Sequence, residues 1–295
     1  MFSFMLRSAS RQPSAAVSAT AMVSALSLAS FSTAARNAEE PKVALSPKEF
    51  RSFTVTKVED VTHDTKRLVF ALPTEKHEMG TTAASCLMAK FDLNGNPVVR
   101  PYTPTNTNDE KGKLELVVKG YPNGKLSKHI VNLNVGDELA MKGPFVKFKY
   151  QPNQFKSVGF ICGGSGITPG LQVIKEICRN PDDSTQVVLI FCNKTEKDII
   201  LRDELDALQH MYPQFQVHYV LSEAEANWEG YTGYLTKELI KKLLPSPSNE
   251  TFIGVCGPPP MMDAISGNKA PDRSQGKLKG LLKEAGYTDT QVFKF

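Results

Sequence analysis

The sequence predicts two domains in tandem: an antiparallel β-barrel, then an α/β domain built on a parallel sheet. Three observations carry this. The chain has 295 residues, a length at which chains commonly divide into two cores. From Phe50 onward, short β-rich runs recur at spacings of about ten residues, which suggests a sandwich or barrel. After Tyr150, apolar runs of buried-strand type alternate with helical segments, which suggests a parallel sheet covered on both faces. The two patterns meet near Gln151-Pro152-Asn153-Gln154. The reading divides the chain into an N-terminal segment, 1–46, a barrel, 47–152, and an α/β domain, 153–295.

Residues 1–36 hold Arg7, Arg11 and Arg36 and no acidic residue, and Ser and Ala dominate them. That is the composition of an organelle transit peptide, and it predicts a mitochondrial location. The weakly apolar run Ala15–Phe31, broken by five Ser and Thr residues, leaves membrane association as an alternative. It is too interrupted for a strong membrane-span signal.

In the barrel, FTVTKVEDVT, KRLVFAL, SCLMAKFDL, VVRPYT, KLELVVKGY and DELAMKG read as strands, and Lys125–Asn132 as a helix. In the second half, SVGFICGG, TQVVLIFCN, FQVHYVLSE and TFIGVCG read as parallel strands. Helices are expected over Gly170–Arg179, Asp198–Met211, Thr236–Leu244 and Gln275–Ala285. Pro258-Pro259-Pro260 reads as a rigid corner that no helix or ladder crosses. Ligands of such sheets sit beyond the carboxyl ends of the strands, where the strand order reverses.

Composition narrows the function. Apolar residues make up 41% and charged residues 22%, the balance of an ordinary globular protein. The five cysteines form no C-x-x-C or Cys/His cluster, so neither a metal site nor a disulfide framework is expected. The formal charge of +4 falls to +1 once Arg7, Arg11 and Arg36 are set aside, which argues against nucleic acid as a partner. Residues 111–156 hold nine lysines against Glu115, Asp137 and Glu138. They form either a solvated face or a docking patch for an acidic partner.

Four motifs carry the chemistry. Cys162-Gly163-Gly164-Ser165-Gly166-Ile167-Thr168-Pro169-Gly170 lacks the Lys of a Walker loop and the third glycine of a dinucleotide fingerprint. It is also no nucleophile elbow, because Ile167 replaces the final glycine. What remains is backbone that a ligand can approach, leading into a helix start that favours anions. Val255-Cys256-Gly257-Pro258-Pro259-Pro260-Met261 is a second corner after an apolar strand. There, Cys256 is either inert packing or a small polarizable contact for a flat ring. In the barrel, Arg100-Pro101-Tyr102-Thr103 offers a guanidinium fork beside an aromatic face. Gly124-Lys125-Leu126-Ser127 is a second helix start of anion-binding type.

The order RPYT, GKLS, GGSGITP, CGPPPMM resembles the ferredoxin-reductase-like flavoenzymes, specifically the NADH-cytochrome b5 reductase family, over about residues 50–295. The tail SQGKLKGLLKEAGYTDTQVFKF resembles its mitochondrial branch. The resemblance implies an FAD-binding barrel followed by an NADH-binding α/β domain. Hydride would pass from NADH to FAD, and single electrons to cytochrome b5 or a similar acidic haem protein. Arg100 would then pair with the FAD pyrophosphate, with Pro101 stiffening its strand, Tyr102 against the flavin ring and Thr103 near its reactive nitrogen. Val117, Lys119 and Tyr121 would line the flavin and its ribityl chain. Gly124, Lys125, Leu126 and Ser127 would receive the pyrophosphate. Gly164, Gly166 and Thr168 would meet both cofactors, and Cys256, Gly257, Pro258 and Met261 would hold the nicotinamide. Asp198 would accept bonds from the adenosine ribose hydroxyls; the competing reading makes it the cap of a helix over Ile199–Met211. Two departures from the family stand out: Phe145 where a smaller residue occurs, and Gly170 where methionine is frequent. A reductase for another acceptor (a quinone or a desaturase system) and a non-catalytic nucleotide-binding protein are the rival readings.

Overall fold

The structure, a computed structural model, describes residues 42–295. The transit peptide or anchor expected over 1–36 lies outside the described residues. Among those described, no helix is long and apolar enough to cross a membrane.

Six strands form the first sheet: β1 (Arg51–Thr62), β2 (Thr65–Ala71), β3 (Ser85–Leu93), β4 (Asn96–Tyr102), β5 (Lys113–Lys119) and β6 (Glu138–Val146). Their order is β4-β3-β6-β1-β2-β5, all antiparallel. Alternation along the strands builds its core: Leu68 and Phe70 of β2, and Leu114, Leu116 and Val118 of β5, are buried together with Phe53, Leu87 and Met141. The short helix α1 (Lys125–Ile130) sends Leu126 and Ile130 into the same core. The Thr105 N–H donates to the Glu115 carbonyl at 3.0 Å, tying the exit of β4 to β5 and drawing the two end strands together. Ahead of β1, the Ala44 N–H bonds the Glu78 carbonyl at 2.8 Å, and Ala44 and Leu45 are buried in the barrel core.

The other face of β5 is what places the second domain. Glu115, Val117 and Lys119 point away from the barrel core, as period-two geometry requires. Val117 is instead buried with the apolar residues of the α/β domain.

That domain contains β7 (Ser157–Gly163), a 3-10 turn at Gly164–Gly166, α2 (Ile167–Arg179), β8 (Gln186–Asn193), a 3-10 turn at Glu196–Asp198 and α3 (Arg202–Met211). It continues with β9 (Phe215–Leu221), β10 (Tyr231–Thr232), α4 (Lys237–Leu243), β11 (Thr251–Cys256), α5 (Pro259–Ser266), α6 (Gly280–Glu284) and β12 (Val292–Lys294). The sheet is parallel, in the order β10-β9-β8-β7-β11-β12. The chain lays β8, β9 and β10 on one side of β7, then crosses back to place β11 and β12 on the other. The strand order therefore reverses between β7 and β11, and a ligand crevice is expected at their carboxyl ends.

Four expectations need correction. The prolines do not bar a helix: Pro258 is the N-cap of α5, and Pro259 and Pro260 fill its first two positions. There the missing N–H groups would have had no intrahelical partner anyway. No helix starts at Asp198; α3 begins at Arg202, because Leu201 adopts a left-handed conformation at φ +58° and breaks the run. The final expected helix shrinks to α6, and α2 starts three residues earlier than expected, at Ile167.

Candidate functional site

The two glycine-containing corners meet at the switch in strand order. Cys162 of β7 and Cys256 of β11 are register partners, so both strands end at the same level. A Cβ placed on Gly166 would collide with the backbone carbonyl of Cys256, and one on Gly163 with Met261 Sδ. The corners thus interlock at backbone distance. Gly164 differs: its φ is +50°, and a Cβ there would meet nothing within 4 Å. The Ile167 N–H turns back to the Gly164 carbonyl of the 3-10 turn, and the N-cap of α2, Gly166, offers no side chain to the first turn. Thr168, buried in that turn, donates to the Ser165 carbonyl at 3.4 Å. Gly170 packs against Phe160 and Cys162: a Cβ there would stand 3.0 Å from Cys162 Sγ, so a larger residue needs Cys162 or Phe160 to shift.

The barrel brings its groups to the same crevice along its two end strands. Tyr102 closes β4 and Tyr121 follows β5. Burial pushes the Tyr102 phenol up to about 12, with Arg100 pulling the other way and Tyr121 adding to the rise. Arg100 is exposed, and its Nη1 donates to the Val99 carbonyl at 2.7 Å. Pro101 is exposed beside it, and Thr103 is half-buried. Tyr121 Oη and Ser165 Oγ share a hydrogen bond of 2.7 Å, joining the barrel to the Gly164–Gly166 turn. At α1, Leu126 turns its side chain into the barrel core while Gly124 and Lys125 stay nearer the surface. The Ser127 hydroxyl lies over Gly124, where a Cβ would strike it.

Lys119 and Asp198 meet each other, which the sequence did not reveal. The Lys119 ammonium lies 2.9 Å from Asp64 Oδ2 and 3.5 Å from Asp198 Oδ1. Burial opposes its charge, but the two carboxylates outweigh that and hold it above the ordinary lysine range. Asp198 Oδ2 accepts from the Thr195 N–H at 3.0 Å and its hydroxyl at 2.6 Å, closing a capping box on the Glu196–Asp198 turn. Asp198 is therefore a cap, but of this turn and not of α3. Burial works against its charge too, while the Thr195 bonds and Lys119 keep the carboxyl below the usual aspartate range. His63, Asp64 and Asp198 offer three ligand-type atoms close together, but the Lys119 ammonium already pairs with both carboxylates.

Cys256 stands at the crevice with its thiol pushed up to about 11 by burial, against a weaker pull from Lys269. At neutral pH it is a thiol, not a nucleophilic thiolate. Pro258 and Met261 crowd the Gly163 side of the corner, and Met261 also lies against Gly257.

Residues 52–150 match the oxidoreductase FAD-binding domain, and residues 160–267 the oxidoreductase NAD-binding domain. An NADH-cytochrome b5 reductase-like protein of Arabidopsis thaliana is 46% identical over 261 residues, covering 86% of this chain and 79% of its own. The chain belongs to the NADH-cytochrome b5 reductase family. Its family relative in Saccharomyces cerevisiae, NADH-cytochrome b5 reductase 2, is 42% identical over 305 residues, 100% of both chains. The cytochrome b5 reductase domain of Ulva prolifera nitrate reductase superposes with a TM-score of 0.76 at 28% identity, covering 86% of this chain and 100% of that one. As a member of the family, the chain is an oxidoreductase with an FAD-binding domain and an NAD-binding domain. The crevice fits both groups: the open side of Gly164 beside the start of α2 suits a pyrophosphate, and the half-buried Tyr102 suits a flat ring.

Proposed function

We propose that this reductase takes a hydride from NADH onto FAD and passes electrons one at a time to cytochrome b5 or a similar acidic haem protein. The observation that carries the reading is the interlock of the β7 and β11 corners, with Tyr121 of the barrel bonded to Ser165 of the first corner. Bound FAD would supply the conversion between two-electron and one-electron transfer. The chain's own residues bind and orient. Arg100 and the α1 start at Gly124–Ser127 hold the FAD pyrophosphate; Tyr102, Thr103, Val117 and Tyr121 define the flavin plane. Gly164, Gly166 and Thr168 border both cofactors, while Cys256, Gly257, Pro258 and Met261 form the wall against which nicotinamide lies. Asp198 and Lys119 together face the adenosine half of NADH, the carboxylate favouring ribose hydroxyls over a 2′-phosphate.

The acceptor is proposed on charge. Of the nine lysines in 111–156, Lys111, Lys113, Lys119 and Lys156 pair with Glu78, Glu110, Asp64 and Glu250. Among the described residues, Lys125, Lys128, Lys142, Lys147 and Lys149 have no such partner and leave a positive face for an acidic protein. A mitochondrial location, with cleavage or anchoring through residues 1–36, is proposed from the acid-free Ser/Ala/Arg composition of that segment. N-terminal sequencing of protein from its native organelle checks it; an intact Met1 excludes cleavage.

The function is tested by anaerobic bleaching of the bound yellow flavin with NADH, followed by steady-state turnover with purified cytochrome b5, a quinone and a desaturase system as acceptors. Bleaching with the highest kcat/KM for cytochrome b5 is expected. A flavin that NADH does not reduce removes the catalytic reading, and preference for another acceptor removes the haem-protein one.

A further inference from the structure

The seam between the domains has a second ionic contact, well behind the crevice. Strand alternation turns Glu115 of β5 outward, and Arg67 of β2 is the register partner of Val117, so both reach toward the α/β domain. Glu204, in the first turn of α3, answers them. Its Oε2 lies 2.9 Å from Arg67 Nη2, and its Oε1 lies 2.5 Å from Lys175 Nζ on α2. Lys175 in turn donates to the Thr105 carbonyl at 2.6 Å, on the barrel segment that leaves Arg100–Thr103. The Thr105 hydroxyl bonds Glu115 Oε1 at 2.6 Å, and Arg67 Nε stands 3.6 Å from Glu115 Oε2. One carboxylate therefore joins a barrel cation to an α2 cation that itself grips the barrel.

Apolar packing across the seam runs through Val117, while its strand neighbour Arg67 borders open space. A cavity of about 470 Å³ opens beside the network, walled by Arg67, Glu115, Lys175, Arg179 and Glu204. Arg67 Nε is sealed from solvent with no hydrogen-bond acceptor. With space on one side and charged groups on the other, the two walls are joined at this point by the ion pairs. Lys175 lies eight residues along α2 from Ile167, so the network acts about 12 Å from the crevice at ~1.5 Å per residue. A rigid helix links the two places, since α2 is buried over nearly its whole length.

We propose that Glu204 is a positioning residue: through Arg67 and Lys175 it sets the angle of the α/β domain on the barrel, and so the register of the nicotinamide wall with the flavin plane. This rests on the reading of hydride transfer between NADH and FAD across the seam. Because flavin contacts lie mainly in the barrel and nicotinamide contacts in the α/β domain, a change of angle disturbs the reductive half-reaction and spares the oxidative one.

The experiment uses the holoprotein with Glu204→Gln, which keeps size and removes the charge, and Lys175→Met, which keeps length. Expected for both are stoichiometric FAD, an NAD⁺ dissociation constant raised about tenfold by calorimetry, and flavin reduction by NADH slowed to match. Reoxidation of dithionite-reduced enzyme by cytochrome b5 should stay within about twofold. Unchanged NAD⁺ affinity, equal loss in both half-reactions, or failure of both single variants to fold would each overturn the proposal. Failure of the unmutated protein to be reduced by NADH would instead overturn the reading beneath it.

Discussion

The corners after β7 and β11 do the same job with opposite materials. The first is glycine, the second mostly proline. After β7, Gly163 and Gly166 let the backbone come against the Cys256 carbonyl, Met261 and Pro258, while Gly164 turns through φ +50° beside open space. After β11, three prolines hold φ near −65° and start α5 without giving up a single useful N–H. The difference teaches that a narrow slot needs one wall able to approach and one unable to give way. Two glycine corners would leave the width undefined, and two proline corners could not come this close.

The largest effect should follow from closing the approach. Gly166→Val would push its side chain into the Cys256 carbonyl, and overpacking of about 3 kcal/mol should lower Tm by roughly 6–10 °C. Calorimetric unfolding checks this; a Tm within a degree of the parent would mean the corners do not interlock.

An intermediate effect should come from the rigid wall. Cys256→Leu should weaken NAD⁺ binding tenfold to a hundredfold, for roughly 1–3 kcal/mol of steric cost, while Cys256→Ser stays within about threefold. The thiol itself should behave as burial dictates. With a pKa of about 11, its thiolate fraction grows about tenfold per pH unit, so alkylation of Cys256 should accelerate across pH 7 to 9.5 without levelling. Peptide mapping after brief iodoacetamide pulses measures it. A plateau near pH 8 would reveal an activated thiolate and a covalent role.

The smallest effect on stability should be at Gly164. Alanine there incurs only the cost of the left-handed conformation, about 1–2 kcal/mol, because its methyl group touches no protein atom. Cofactor affinity should fall by more than this, since the methyl group enters the space left for a ligand. Titration with FAD and NAD⁺ beside a thermal melt separates the two; full affinity would place the pyrophosphate elsewhere.

Much of this fold is legible in the amino-acid pattern alone. The barrel strands show as short β-rich runs between turns, with the core residues Leu68/Phe70 and Leu114/Leu116/Val118 at every second position. Parallel strands β7 and β11 show because both faces are buried, giving continuous apolar runs, and β8 and β9 show through their apolar, β-branched and aromatic content. The two- and three-residue edge strands β10 and β12 carry no period to detect. The proline string hid α5 because a helix's first turn obeys different rules from its interior. The Lys119–Asp64–Asp198 contact was beyond reach for another reason: it joins groups distant in sequence, and nothing in a carboxylate's neighbours names its cation.

The register pairing of Cys162 with Cys256 has a consequence for how the domain assembles. Those residues belong to neighbouring strands, yet β8, β9 and β10 with their helices lie between them in the chain. Such non-local pairings form late, after the entropy of closing a long loop has been met. No isolated hairpin or helix can therefore preform the nucleotide slot; it comes into being with the last closure of the sheet. Nucleotide binding stabilises only chains that have completed that step, so its protection should spread over β7, β8 and β11 together in hydrogen exchange.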